Sequence, residues 1–142
     1  MYSDAVKGAA PLITLDFQSR VPIYKQIEDS IVEMILLGVY AEGSQLPSVR
    51  GLAVELGTNP NTIQKAYQEL ESQGIILSVT GRGSFVQGRE AARKVLRARA
   101  VETLRAAVRE AALAGLSREE MEAVLDGAVA GAEAGKEAGS HD

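Results

Sequence analysis

Asn61, Gln64, Lys65, Gln68 and Ser72 are spaced to share one face of a helix, opposite an apolar stripe of Ile63, Ala66, Tyr67 and Leu70. A helix face that is merely solvated usually carries Glu/Lys pairs at i,i+4. This one carries carboxamides, whose paired donor and acceptor match the edge of adenine, with one cation and one hydroxyl beside them. Its chemistry suits the reading of base edges in a groove of DNA. The competing reading is a helical hairpin with a polar outside. Other chemistry is poorly supplied. The chain has no cysteine, which removes disulfides, zinc–thiolate sites and thiol nucleophiles. The single histidine, His141, stands at the C-terminus, so neither a histidine triad nor a multi-histidine metal site is expected. Carboxylates are scattered, and Gly81-x-Gly83 lacks the strand-to-helix setting of a phosphate loop. The chain reads as a non-enzyme without metal or cofactor.

The polar face needs elements to hold it. From Leu46 to Gln73 the sequence predicts two short helices joined by a tight turn. Val49, Leu52, Ala53 and Leu56 give the first helix an apolar face at i, i+3, i+4, i+7, and Ile63, Ala66, Tyr67 and Leu70 do the same for the second. Ser48 can cap the first helix and Gly57 can end it in the left-handed conformation. Asn59 is placed to cap the second, with Pro60 in its first turn. Two helices, a glycine turn and an amide-rich second helix read as a helix-turn-helix. Gly74 ends it. Ile75–Val79 then reads as a strand, Thr80-Gly81-Arg82-Gly83 as a turn and Ser84–Val86 as the returning strand. Such a hairpin directly after a recognition helix is a wing. Arg82 at its tip, between glycines, suits a minor groove or a phosphate; alone, it would be an ordinary solvated hairpin.

Residues 1–11 read as a flexible arm. Leu12–Phe17 alternates loosely, as a strand or an extended segment. Pro22 opens a helix as a first-turn proline, with Ile23, Ile27, Ile31, Met34 and Leu37 along its stripe and Gly38 at its end. Beyond Gly88 a long helix is predicted from Arg89 to about Ala114, with a stripe of Leu96, Ala100, Leu104, Val108 and Ala111. Ser117-Arg118-Glu119-Glu120 is a capping box, with Leu116 and Met121 as a staple, and it opens a helix bearing Met121, Val124, Leu125, Ala128 and Val129. Residues 131–142, rich in Gly, Ala and Glu, should be a disordered tail. Two helices of this size cannot bury enough apolar surface alone. A second copy would supply the rest in a two-fold dimer, with Leu96, Leu104, Val108, Met121 and Leu125 as the expected dimerisation residues. Folding back onto the preceding domain is the alternative. The expected fold is mainly α with a small β-hairpin wing: a winged helix-turn-helix over residues 12–88 and a short C-terminal helical dimerisation segment over 89–130.

The net charge of −4 disfavours a nucleic-acid partner, but its distribution matters more. From Ser44 to Gly88, Arg50, Lys65 and Arg82 balance Glu55, Glu69 and Glu71. Between Arg89 and Arg109, arginine and lysine outnumber Glu90 and Glu102. A DNA-facing middle with acidic flanks is electrostatically allowed. No apolar run approaches the ~20 residues of a membrane span and the N-terminus lacks a signal pattern, so a cytoplasmic protein with no membrane partner is expected.

The helix from Pro22, the run LPSVRGLAVELGTNPNTIQKAYQELESQGII and the wing TGRGSFV together resemble the GntR family of bacterial transcription regulators, in its YtrA-like branch. The likeness covers residues 12–88 by motif and 89–130 by length and pattern. It implies sequence-specific binding, as a homodimer, to a two-fold symmetric double-stranded DNA operator. By this resemblance Ser48 and Arg50 contact phosphate and groove, and Asn59, Asn61 and Thr62 contact DNA at the start of the recognition helix. Gln64 and Lys65 follow along its outer face, with Arg82 and Gly83 at the wing tip. Some members carry an arginine in the first turn of the recognition helix or where Gln64 stands. Here Pro60 and Gln64 occupy those places, so an arginine–guanine contact is missing from both. A repressor is expected, since occupying an operator blocks polymerase by mass. A small-molecule effector would have to bind between protomers or between the winged domain and the helices, because the C-terminal segment is too short to enclose a pocket. A protein–protein adaptor built on the winged module is the alternative of a different class.

Overall fold

The apolar residues Ile27, Ile31, Val32, Met34 and Ile35 recur at helical spacing and are all buried on one side of α1, Ile23–Leu36. The computed structural model describes residues 13–140; the expected N-terminal arm, Leu12 and His141 lie outside the described residues. Pro22 is not the first helical residue, as the sequence predicted, but the N-cap, with ψ 147°. Its carbonyl starts the helical ladder by accepting from Lys25 and Gln26 N–H at 3.0 and 3.1 Å. Ile13 is buried at the end of an extended segment that forms no strand. The carboxamide of Gln26 substitutes for a strand neighbour there: its Oε1 accepts the Asp16 N–H at 2.8 Å and its Nε2 donates to the Asp16 carbonyl at 3.0 Å.

The helix-turn-helix comprises α2, Val49–Leu56, and α3, Pro60–Ser72. Its turn is closed by Gly57 at φ 63°, while Thr58 N–H reaches back to the Ala53 carbonyl at 3.0 Å. α3 packs on both α1 and α2. Ile63, Ala66, Tyr67 and Leu70 are buried there against Ile27, Ile31, Leu52 and Ala53 in one core. The Tyr67 hydroxyl donates to the Pro47 carbonyl at 2.6 Å, and burial holds its phenol above the usual range, so it stays a neutral donor.

The wing pairs β1, Ile76–Val79, with β2, Gly83–Val86, antiparallel, with Ile76 opposite Val86 and Val79 opposite Gly83. The ladder starts one residue later than the sequence predicted because the Ile75 N–H is taken by the Leu70 carbonyl at 3.0 Å. Gly83, predicted as turn, already belongs to β2. The other edge of β2 is covered by the segment Ser44–Leu46. Val86 N–H donates to the Ser44 carbonyl at 2.9 Å, Leu46 N–H donates to the Ser84 carbonyl at 2.8 Å, and Gln45 forms a bridge with Phe85.

α4 spans Arg89–Leu113 and α5 Arg118–Ser140. The first turns of α4, to Arg97, group with the winged unit. Ala92 is fully buried there, Val95 and Leu96 pack against the same core, and Arg89 donates to the Leu36 carbonyl at 3.0 Å. Leu96, expected at a dimer contact, is thus half-buried against its own winged unit. From Ala98 a second unit begins. Its stripe is open: Leu104, Val108, Val124 and Leu125 are all exposed. Ser117 Oγ accepts the Glu120 N–H at 3.1 Å, and the Glu120 carboxylate meets the Ser117 hydroxyl at 3.3 Å, not the backbone N–H of a full capping box. α5 continues to Ser140, past residue 131 from which a tail was expected. Ala132, Glu133, Ala134 and Lys136 are strong helix formers and outweigh the glycines among them.

Candidate nucleic-acid interface

The outer face of α3 is the one the sequence drew. Asn61, Gln64, Lys65, Gln68 and Ser72 are exposed, and the residues behind them are buried. Burial of that inner stripe leaves the helix no freedom to roll, so the carboxamides are presented in fixed order. Asn59 caps α3, its Oδ1 accepting the Asn61 N–H at 2.8 Å, which leaves its amide hydrogens as the outward donors. Thr62 is half-buried and its N–H is taken by the Asn59 carbonyl at 2.9 Å. Neither α2 nor α3 has an acid in its first turn. The partial positive charge at both N-termini is therefore unopposed and favours a phosphate.

Ser48 caps α2, accepting the Gly51 N–H at 3.0 Å, so its hydroxyl hydrogen remains to be donated. A side chain at residue 51 would place its Cβ 2.9 Å from that oxygen, which explains a glycine inside a helix. Arg50 is exposed on the first turn. A concave groove runs between α3 and the wing, and it brings together Ser48, Gln64, Gln68, Arg82 and Gly83. Asn59, Asn61, Thr62, Arg50 and Lys65 stand outside it. The acid in the groove, Glu71, is occupied, its Oε1 accepting the Ser78 N–H at 3.1 Å. The other polar side chains on the walls offer amide, hydroxyl and guanidinium groups.

Lys65, exposed on the outer face, also has a partner within the chain. Its ammonium lies 4.0 Å from the centre of the Tyr24 ring on α1, a cation–π pairing that the facing helix makes available. Sequence reading missed Gln45, which lines the groove and donates to the Arg82 carbonyl at 2.7 Å. No local signal marks it, since its partners lie far along the chain. It also missed Glu28, buried between α1 and α3 at 2% exposure. Burial foremost, then a hydrogen bond with the Glu69 carboxyl, pushes Glu28 up to about 7, against the opposing pull of Lys25.

Residues 23–86 match the family of bacterial regulatory proteins named gntR. The uncharacterised helix-turn-helix regulator YhcF of Bacillus subtilis is 38% identical over 106 residues, 74% of this chain and 88% of YhcF. The chain belongs to the GntR family. Its likeness is to the YtrA-type members. The helix-turn-helix transcriptional repressor YtrA of Bacillus subtilis is 47% identical over 75 residues, which span 53% of this chain and 58% of that protein. Among solved structures, a GntR-family transcriptional regulator from Listeria monocytogenes superposes with a TM-score of 0.68 at 35% identity, covering 78% of this chain and 97% of that one. The GntR-family factor YtrA from Sulfolobus acidocaldarius does so with 0.54 at 42% identity, over 66% and 97%. The fold is thus a GntR winged helix-turn-helix, and the chain is a DNA-binding transcription regulator. No helix among the described residues is long and apolar enough to cross a membrane.

Proposed function

We propose that this chain is a cytoplasmic repressor that binds a two-fold symmetric operator as a homodimer, reading bases through α3 and gripping the flanking groove with the wing. The observation that carries the reading is the shared groove, where the carboxamides of α3 face the Arg82 wing tip, with the acid between them hydrogen-bonded to the wing backbone. The repressor sense follows from the likeness to the YtrA repressor of Bacillus subtilis. The dimer is supported by the apolar side chains of the second unit. Val101, Leu104, Val108, Val124 and Leu125 are exposed in the single chain, and a second copy of the same helices would cover them. An effector would then bind at the interface so formed.

The test is selection from random duplex DNA, then titration of the winner against scrambled DNA at two salt concentrations. A palindromic winner bound tightly and with salt dependence supports the reading. No enrichment, with weak binding to everything, would favour a protein-docking module instead. On the selected duplex, Arg50→Ala should weaken specific and scrambled binding alike. Asn61→Ala and Gln64→Ala should relax selectivity at particular base pairs, at ~1–3 kcal/mol for each lost base contact. Identical behaviour of all three on both duplexes would overturn this division of roles.

The basic first turns of α4 admit a separate expectation. Arg93, Lys94 and Arg97 are exposed, and Arg93 is paired with Glu90 at 2.9 Å. If they lie along phosphates, joint neutralisation should flatten the salt slope by about 0.9 for each lost contact. An unchanged slope in the same titration would remove them from the interface.

A further inference from the structure

A carboxamide that no local pattern singles out spans the distance between the wing tip and the helix-turn-helix. The backbone of Ser44 to Leu46 runs along the free edge of β2, and its ladder ends at the Ser84 carbonyl. The Gln45 side chain continues past that end, and its Nε2 donates to the Arg82 carbonyl at 2.7 Å. The close approach needs Gly83. A Cβ there would lie 2.5 Å from the Gln45 nitrogen, and φ 118° is itself disfavoured for any other residue. The segment that bears Gln45 is anchored at its other end. Pro47 accepts the Tyr67 hydroxyl from the buried side of α3 at 2.6 Å, and Ser48 begins α2. Two hydrogen bonds, joined by the backbone of residues 45–47, therefore link α3 to the residue that carries the wing's guanidinium.

We propose that Gln45 is a positioning residue for DNA recognition: it holds the Arg82 wing tip at a set distance from α3, so that wing and recognition helix engage adjacent grooves in register. The proposal rests on the operator-binding reading above. The wing tip lies beyond the last bond of the Ser44–Leu46 edge; its turn is closed on itself by the Arg82 N–H donating to the Val79 carbonyl at 2.9 Å, and Gln45 ties that turn to the segment leading into α2. Without this tie the turn that carries Arg82 would have to be fixed against the helix-turn-helix at the moment of binding, at a cost in affinity that pre-organisation removes. Gly83, expected from the family resemblance to touch DNA, acts in this account by making room for the amide.

The test uses the full chain and two readouts. In backbone 15N relaxation without DNA, Gln45→Met, which keeps the length but loses the donor, should lower the heteronuclear NOE at Gly81, Arg82 and Gly83. Values along α3 should stay unchanged. Gln45→Lys, which restores a donor of similar reach, should recover the order. On the selected duplex, Gln45→Met should weaken binding ~5- to 20-fold, and by less than ~2-fold when Arg82→Ala is already present, since coupled residues are non-additive. An unchanged wing NOE in Gln45→Met overturns the proposal, as does an equal loss of affinity in both backgrounds. Wild-type protein that binds no duplex overturns the operator reading and Gln45's part in it, and the relaxation data distinguish that outcome from a wing that never needed the tie.

Discussion

Leu104→Asp combined with Val108→Asp should leave the winged unit folded, convert the protein to a monomer and lower operator affinity by ~100-fold or more. Both side chains are exposed in the single chain, Leu104 at 56% and Val108 at 46%, so neither supports the winged core. One turn apart on α4, they form the middle of the stripe that a second copy would cover. Placing two carboxylates there would force their desolvation on association, a penalty that hydrophobic contact around them cannot offset. The loss of affinity follows from valency. Two winged units on the proposed dimer would convert the second half-site contact into an intramolecular event, and a monomer would forfeit that advantage. Sedimentation equilibrium and titration on the palindrome check the two halves separately. A variant that remains dimeric would move the interface elsewhere on the chain. A monomer that binds the palindrome as tightly as wild type would remove the dimer from the mechanism.

Glu28→Gln should stabilise the winged unit at about pH 8, on the order of 3 kcal/mol, and flatten its stability between about pH 5 and about pH 8. In the folded chain Glu28 is pushed up from 4.5 to about 7, first by burial and then by the Glu69 carboxyl. Its Oε2 is buried with no donor to satisfy it, so a bond to Glu69 requires a proton on one of the two carboxyls. Lys25 approaches Oε1 only at 3.9 Å and compensates in part. The sign follows from linkage. An acid whose folded pKa is raised binds its proton more tightly in the native state, so the stabilisation is full below about 4.5 and is lost as pH rises through about 7. Wild type should therefore weaken from mildly acidic to mildly alkaline solution, opposite to the trend set by salt-bridged carboxylates. Glutamine keeps the hydrogen-bonding shape without the ionisation. Urea denaturation across that range would show this, and pH-independent wild-type stability, or a less stable variant at the alkaline end, would refute it. Because Glu69 lies on α3, the same ionisation loads the packing that holds the recognition helix.

Local sequence sets the elements and their outward faces. Ser48, Asn59 and Ser117 cap their helices through bonds that close within three residues, and Gly57 ends α2 through its own backbone preference. The inner and outer faces of α3 follow from the helical repeat alone, which is why its exposed carboxamides were legible before any packing was known. The two strands of the wing follow from β-branched residues around a glycine turn. How these pieces meet depends on packing between segments far apart in the chain. Ser44–Leu46 became a third edge because β2, far along the chain, offered unpaired backbone groups. Gln45 reached Arg82 across 37 residues of sequence. Lys65 turned to Tyr24 and Glu28 was driven under Glu69 because α1 crosses α3 there, and that crossing is set by the fit of two apolar surfaces. Leu96 went to the winged core for the same reason: Ala92 and Val95 carried the first turns of α4 onto it. Each is a contact between residues remote in sequence, and local periodicity contains no term for the partner.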